Sequence, residues 1–326
     1  MAPAGTKAHT ISAVILAWNR KPYVETVLDK LSRLPVDEVI VVDHGDDGTS
    51  EMVAARGGDD VKVIPVGRNL GIAGRNLGAK EAEGDLILML DDDSYPLEGS
   101  IEAMVETLDA HPDIAILGGL VRELDESGRV FRFDELGTFD WFLRAGDTGP
   151  TPPGGFPAFF FPEGACLARR DAFLEVGGFM EPFFSDTVEL ELTTRLLATG
   201  WDVRYLPEAA FDHMKSESGL SVHKELEMRV RNQLWYFWMY YPPVLAARRM
   251  LLYSFFEFFD CAARGAVGAW ARGIVDAWRD RNRVRRYRDR LPGEVLRRAE
   301  LNRNRMQWRL LVGRVRKLPA RVFGRR

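Results

Sequence analysis

A doubly wound α/β sheet is the fold this sequence predicts, and three observations predict it. Short β-rich runs alternate with helical patterns from Ile11 to Leu120. Several of these runs end in polar or acidic residues, at Trp18-Asn19-Arg20, Asp43-His44-Gly45 and Asp91-Asp92-Asp93. The helical patterns are long enough to cross over between parallel neighbours, and right-handed crossovers bring the strand C-termini to one edge.

The elements follow in order. ISAVILA, Ile11 to Ala17, reads as a strand, and Tyr23 to Leu34 as an amphipathic helix. EVIVVD, Glu38 to Asp43, is a second strand, followed by a helix over Thr49 to Arg56. VKVIPV, Val61 to Val66, is a third strand, Ala73 to Glu83 a helix, and Asp85 to Leu90 the strand that delivers the aspartates. Ser100 to Ala110 is a helix and Ile114 to Leu120 a strand. From Asp125 to Pro162 the Gly-, Pro- and aromatic-rich sequence predicts loop or hairpin. Ala165 to Ala168 is a strand, Arg170 to Val176 and Thr187 to Ala198 are helices, and Val203 to Tyr205 is a short strand. From Val222 the pattern is helical, interrupted at Pro242-Pro243. Two units are therefore expected: residues 1–220, an α/β domain, and 221–326, a helical, basic extension.

Whole-chain properties narrow the function classes. The 326 residues are 46% hydrophobic, enough for a substantial core. Two cysteines cannot form a disulfide framework, and Met1 to Thr10 holds no apolar stretch of secretory type, so a cytoplasmic protein is expected. The run Met250 to Phe259 is too short and too interrupted to span a bilayer. The net charge of -4 hides an asymmetry: residues 261–326 hold 20 Lys+Arg against 5 Asp+Glu, whereas residues 1–260 hold 24 against 43. Such a basic segment is usually a solvated helical face, but it also suits anionic lipid or an acidic surface.

Chemistry concentrates at the predicted strand ends. Three adjacent carboxylates repel one another unless a positive partner joins them, and a hard divalent cation takes oxygen ligands. Taken alone, the triplet reads equally as a solvated turn or cap. Arg68 to Asn76 (RNLGIAGRN) combines glycines, a helix start and two arginines, which suits a diphosphate. Alone it is an ordinary turn before a helix.

In combination these segments resemble family 2 glycosyltransferases of GT-A fold. ISAVILAWNR, EVIVVDHGDDGTSE, RNLGIAGRNLGAKEAEGDLILMLDDDSYP, GACLARRDAFLEVGGF and TRLLATGWDVRYLPEAAFDH occur in the family's order, covering about Ile11 to His213. The resemblance implies a nucleoside-diphosphate sugar donor, UDP-linked by expectation, and a Mn²⁺ or Mg²⁺ cofactor. Asp43 would contact the base or ribose, with Ala17, Trp18, Asn19 and Arg20 closing the pocket. Asn69, Gly71, Arg75 and Asn76 would face nucleotide and diphosphate. Asp91 and Asp93 match the ends of the DXD motif, with Asp92 between them, and His213 matches a histidine that completes the metal site in relatives.

The base is where the chain departs from the family pattern. The usual acidic pair is represented by Val188-Glu189, so Glu189 is the expected base, with Asp186 and Glu191 as fallback carboxylates. In-line attack would invert the anomeric centre. Glu163 and Gly164 are expected to line the acceptor site. Phe139, Trp141, Phe142, Phe156, Phe159, Phe160 and Phe161 form an aromatic-rich stretch suited to stacking an acceptor, or equally to a lid or dimer contact. The run Trp235 to Tyr241 has the composition of an interfacial membrane anchor. The acceptor classes left open are a small molecule, a carrier-bound precursor and a glycan. Peripheral attachment at the inner face of the membrane, a homodimer contact and a non-catalytic nucleotide-sugar-binding protein are open too; no nucleic-acid partner is expected.

Overall fold

The structure, a computed structural model, describes residues 9–133, 150–214 and 220–301. The first half contains β1 (Ile11–Ala17), α1 (Lys21–Leu31), β2 (Glu38–Asp43), α2 (Thr49–Arg56), β3 (Val61–Pro65), α3 (Arg75–Glu81), β4 (Leu86–Asp91), β5 (Ser94–Pro96) and α4 (Ser100–Ala110). Then come β6 (Ile114–Leu124), β7 (Val130–Phe133), β8 (Phe156–Pro157), β9 (Ala165–Arg169), α5 (Arg170–Glu175), α6 (Val188–Ala198) and β10 (Asp202–Met214). Three helices follow, α7 (Val222–Tyr240), α8 (Pro243–Ala263) and α9 (Val267–Arg279).

The sheet runs β3-β2-β1-β4-β9-β6-β10-β5, with β7 on β6 and β8 on β10. The expected parallel arrangement holds for β3, β2, β1 and β4, and for β6 with β10. The sheet as a whole is mixed, because β9 lies antiparallel between β4 and β6 and β5 lies antiparallel to β10. Register sets the site: Ala17 lies beside Asp43 and Leu16 beside Asp91, so three strand ends coincide.

Period-two alternation sends side chains to two cores. Val14, Ile40, Val42, Ile87 and Met89 meet Ala79 of α3, Phe173 of α5 and Leu192 of α6 on one face. Ala13, Ile15, Val39, Val41 and Leu88 meet Val27 of α1 and Met104 of α4 on the other. Helix α3 approaches β1 closely because residue 78 is glycine: a Cβ there would sit 2.4 Å from Val14 Cγ1. The expected helix over Ala73 to Glu83 is divided, a 3₁₀ turn over Gly71–Gly74 preceding α3.

Helix α7 starts at Ser221, whose hydroxyl accepts from the Lys224 amide at 3.3 Å, and stops before Pro242-Pro243. Its Val230, Leu234, Trp235, Tyr236 and Phe237 belong to the same hydrophobic cluster as Val14 and Ile40. Trp235, Tyr236, Phe237 and Tyr241 are among the most buried large side chains, so the aromatic run expected to anchor a membrane is core. Phe156, Phe159 and Phe161 are buried as well, which removes them from acceptor stacking. No helix among the described residues is long and apolar enough to cross a membrane.

Candidate active site

The end of β4 turns immediately into β5, and β5 pairs with β10 so that Ser94 lies opposite His213. This pairing, with the Met214 amide donating to Asp93 O at 2.8 Å, carries a residue 120 positions away to the aspartates. His213 Nε2 lies 3.1 Å from Asp93 Oδ1, and its Nδ1 lies 3.1 Å from Glu123 Oε1. Burial opposes charge on His213, but Asp93, Asp91 and Glu123 outweigh it and raise the imidazole to about 10.

The three aspartates have different partners. Asp91 Oδ1 accepts from the Arg75 guanidinium at 2.5 Å, and Arg75 also donates to Leu90 O at 2.6 Å. Asp92 accepts from the Trp18 amide at 3.1 Å and from Arg20 at 3.0 Å, fixing the chain that leaves β1. Burial and the neighbouring Asp93 charge push Asp92 up to about 7. Asp93 is 1% exposed and shares Arg20 at 3.0 Å. Asp91, Asp93 and His213 each offer one ligand atom, all within 4.8 Å of one another. Two carboxylate oxygens and an imidazole, with Glu123 orienting the far ring nitrogen, fit a divalent cation such as Mn²⁺. Glu123 escaped the sequence reading because it lies beyond the predicted end of β6; the polar alternation Arg122-Glu123 was its only signal.

The surrounding edge gathers most of the expected donor contacts. Trp18 is 36% exposed, and Asn19 takes a positive φ of 52° while its side chain accepts from the Asp46 amide at 2.8 Å. Asp43 is buried, its carboxylate accepting from the Gly45 amide at 2.9 Å and the Ser50 hydroxyl at 2.6 Å. Asn69 accepts from the Gly71 amide at 2.7 Å, which shapes the loop before α3. Two residues expected to face nucleotide and diphosphate have internal partners instead. Arg75 is wholly buried against Asp91, and the Asn76 amide group exchanges hydrogen bonds with the Phe179 backbone at 2.7 and 2.8 Å.

The base candidates separate just as clearly. Glu189, in the first turn of α6, is 7% exposed, and burial followed by the Glu163 carboxylate, to which it hydrogen-bonds, pushes it well above the ordinary glutamate range. Asp186 accepts from the Thr187 hydroxyl at 2.9 Å, and burial pushes it up to about 6. Glu191 is 1% exposed and closed off: Arg195 donates to both its oxygens at 2.7 and 2.6 Å, and Tyr240 donates a further hydrogen bond. A carboxylate so paired cannot take a proton from an acceptor, which removes Glu191 from the fallback bases. Glu163 and Gly164 lie between the two halves of the site. A Cβ on Gly164 would meet Asp91 Oδ2 at 2.0 Å, and Glu163 couples electrostatically to both Asp91 and Glu189. Trp141, with Phe139 and Phe142, lies outside the described residues.

This edge brings acids beside basic residues at three strand ends, with a second carboxylate pair beyond. The family described as glycosyl transferase family 2 matches residues 12–177. The chain belongs to this family. Among glycosyltransferases of known activity, it is 26% identical over 238 residues to the N-acetylglucosaminyl-diphospho-decaprenol L-rhamnosyltransferase of Mycobacterium tuberculosis (strain H37Rv), covering 64% of this chain and 77% of that one. Among solved structures, GalNAc-T7 with UDP, GalNAc and Mn²⁺ superposes with a TM-score of 0.55 at 16% identity, over 68% of this chain and 47% of the other. This family 2 chain thus spans less than half of GalNAc-T7. The mannosyltransferase of Pyrobaculum calidifontis in complex with GDP-Man and Mn²⁺ superposes with a TM-score of 0.51 at 17% identity, over 96% of this chain and 88% of that one. The fold of this family 2 member is therefore GT-A.

Proposed function

We propose that this family 2 chain transfers a sugar from a nucleoside-diphosphate sugar, with a UDP-sugar as first candidate, to a carrier-bound acceptor with inversion. The observation that carries the reading is the Glu163-Gly164 strip, which links Asp91 on the donor side to the Glu189 carboxyl. Asp43 and the chain from Ala17 to Arg20 would hold base and ribose, and the loop at Asn69 and Gly71 would hold the diphosphate. Asp91, Asp93 and His213 would hold the cation, which when bound neutralises charge developing on the leaving diphosphate. Arg75 and Arg20 keep Asp91 to Asp93 together before any ligand arrives. Glu189 would take the proton of the acceptor nucleophile. It would do so in its ionised form, and the raised pKa makes that form a stronger base than an ordinary carboxylate. A carrier-bound acceptor is supported by the decaprenol-linked substrate in the mycobacterial relative's name.

A second reading concerns where the enzyme works. Leu251 at 73%, Phe255 at 58% and Trp278 at 71% exposure leave an apolar face on α8 and α9, which favours peripheral attachment to a membrane holding such a carrier.

The test is a thermal-shift screen of UDP- and GDP-sugars with and without Mn²⁺. Asp93→Asn is expected to abolish the metal-dependent part of the shift at an unchanged ligand-free melting temperature. A shift of equal size in the variant would sink the metal assignment, no shift with any nucleotide sugar would overturn the donor reading, and a shift without turnover would favour a degenerate binding protein.

A further inference from the structure

The segment between the donor loop and α6 is held in a conformation its residues do not favour. Phe184, Asp186 and Thr187 have φ values of +63°, +63° and +65°. None is glycine, and a β-branched threonine at positive φ is a true outlier. Such backbone persists only where its surroundings fix it, and it concentrates at functional sites.

Asn232 of α7 fixes it. This side chain is fully buried, and its amide nitrogen donates to Phe183 O at 2.9 Å, Ser185 O at 2.6 Å and Asp186 O at 2.9 Å. The neighbouring Arg231 donates to Pro182 O at 3.3 Å and Phe183 O at 3.2 Å, and to the side-chain Oδ1 of Asn232 at 3.0 Å. On its other side the segment supports the donor loop. Phe184 O accepts from the Ile72 amide at 2.8 Å, and Gly71 lies so near that a Cβ there would be 2.2 Å from that oxygen. Glu189 follows Thr187 by two residues, in the first turn of α6. One amide on α7 therefore holds the piece of backbone that touches the diphosphate loop at one end and aims the carboxyl at the other.

We propose that Asn232 is a positioning residue for catalysis, fixing the segment 184–187 with its three positive-φ residues so that Glu189 and the donor loop keep one relative placement. This rests on Glu189 as base. Asn232 lies beyond residues 12–177, the part matched by the family, so a side chain outside that region completes the site. Its donors point at backbone carbonyls, so only a side chain with N–H groups at that place can serve; an aspartate of equal size would set oxygen against three carbonyl oxygens.

The experiment compares Asn232→Ala, Asn232→Asp and Glu189→Gln in the full chain, using Mn²⁺-dependent turnover of the nucleotide sugar found in the thermal-shift screen. Hydrogen exchange of the peptide covering 183–190 is measured on the same proteins. Both Asn232 variants are expected to lose kcat by about 10–100-fold while the donor KM stays within about threefold, since misplacement of a reacting group by an ångström costs on that scale. Exchange over 183–190 should accelerate. Adding Thr187→Gly to Asn232→Ala should recover at least about threefold of the lost kcat, because glycine takes positive φ freely. Unchanged kcat and exchange in a folded Asn232→Ala, or a kcat loss that Thr187→Gly does not recover, would overturn the proposal. Glu189→Gln reports separately: if it retains turnover the base assignment fails, whereas loss in Glu189→Gln with normal Asn232 variants overturns the positioning role alone.

Discussion

Glu189 and Glu191 are two residues apart on one helix, yet their environments give them opposite chemistry. Glu189 is buried with the Glu163 carboxyl for its neighbour, and burial followed by Glu163 raises its pKa. In the folded state it keeps its proton at a pH where the unfolded chain has lost it. Stability therefore falls as pH rises from about the ordinary glutamate value of 4.5 through the raised folded value. Glu189→Gln removes that penalty. The variant is expected to melt higher than the parent near pH 7, to match it below about pH 4.5, and to lose turnover; melting curves across this range, beside donor-turnover assays, check all three. Glu191 has different company: Arg195 pairs with its charge and Tyr240 donates a further hydrogen bond. Glu191→Gln leaves a buried guanidinium without its counter-charge, and breaking such a pair costs about 3–5 kcal/mol. Urea unfolding should show a loss of that size, and a loss below about 1 kcal/mol would mean that water reaches Arg195.

At the scale of elements, what positions the site follows from strand register, and register also explains what the sequence could disclose. Strands β1 and β2 are legible as short apolar runs with polar ends, and helices α2, α4 and α7 by their length between turn or cap residues. Strands β6 and β10 run well past their expected ends, since their last residues, Arg122-Glu123 and Asp212-His213, spend their polarity on one another and on the site. A strand whose exposed face is an active site reads as a loop. The strand ends proposed as the donor half were legible as strand ends, because order along the chain fixes their place. The antiparallel placement of β9, the positive φ of Phe184, Asp186 and Thr187 and the clamp at Asn232 had no local signature, being consequences of packing between distant segments. The approach of β9 to β4 yields a test. Gly164 precedes β9, and Ala165 pairs with Leu90, which presses residue 164 onto Asp91. Gly164→Ala is expected to displace the Asp91 carboxylate and weaken Mn²⁺ binding at least about tenfold with the fold intact. Titration calorimetry with a circular-dichroism control reads this, and wild-type affinity would mean that Asp91 is not a ligand.

At the scale of the molecule, charge and hydropathy divide the surface by function. The α/β part of the chain holds the proposed donor edge, whereas exposed apolar and basic residues gather on α8, α9 and the turns after them. Val244, Leu251, Phe255 and Phe259 recur along α8 at steps of seven and four, which places them on one face. Phe255 and Phe259 stack edge-on at 5.1 Å, and exposed Arg248 and Arg264 flank them. On α9, Trp278 stands out with Arg281 stacked at 4.2 Å over its ring. Burying such rings in the headgroup region contributes about 25 cal/mol per Å² of apolar area, and each arginine near an anionic surface adds about 1 kcal/mol. Both contributions act at once only on a membrane that offers apolar depth and negative charge together. The full chain is expected to float with vesicles containing phosphatidylglycerol, to float less in 0.5 M salt as about 3–5 Å screening shortens the electrostatic reach, and to stay in solution with neutral vesicles. Phe255→Ser with Phe259→Ser should lower flotation on anionic vesicles at least about fivefold and leave nucleotide-sugar turnover in solution within about twofold, because neither ring touches the donor edge. Flotation unaffected by the double substitution, but lost in salt, would transfer the contact from α8 to the arginines alone; no flotation on anionic vesicles would leave this face to a protein partner.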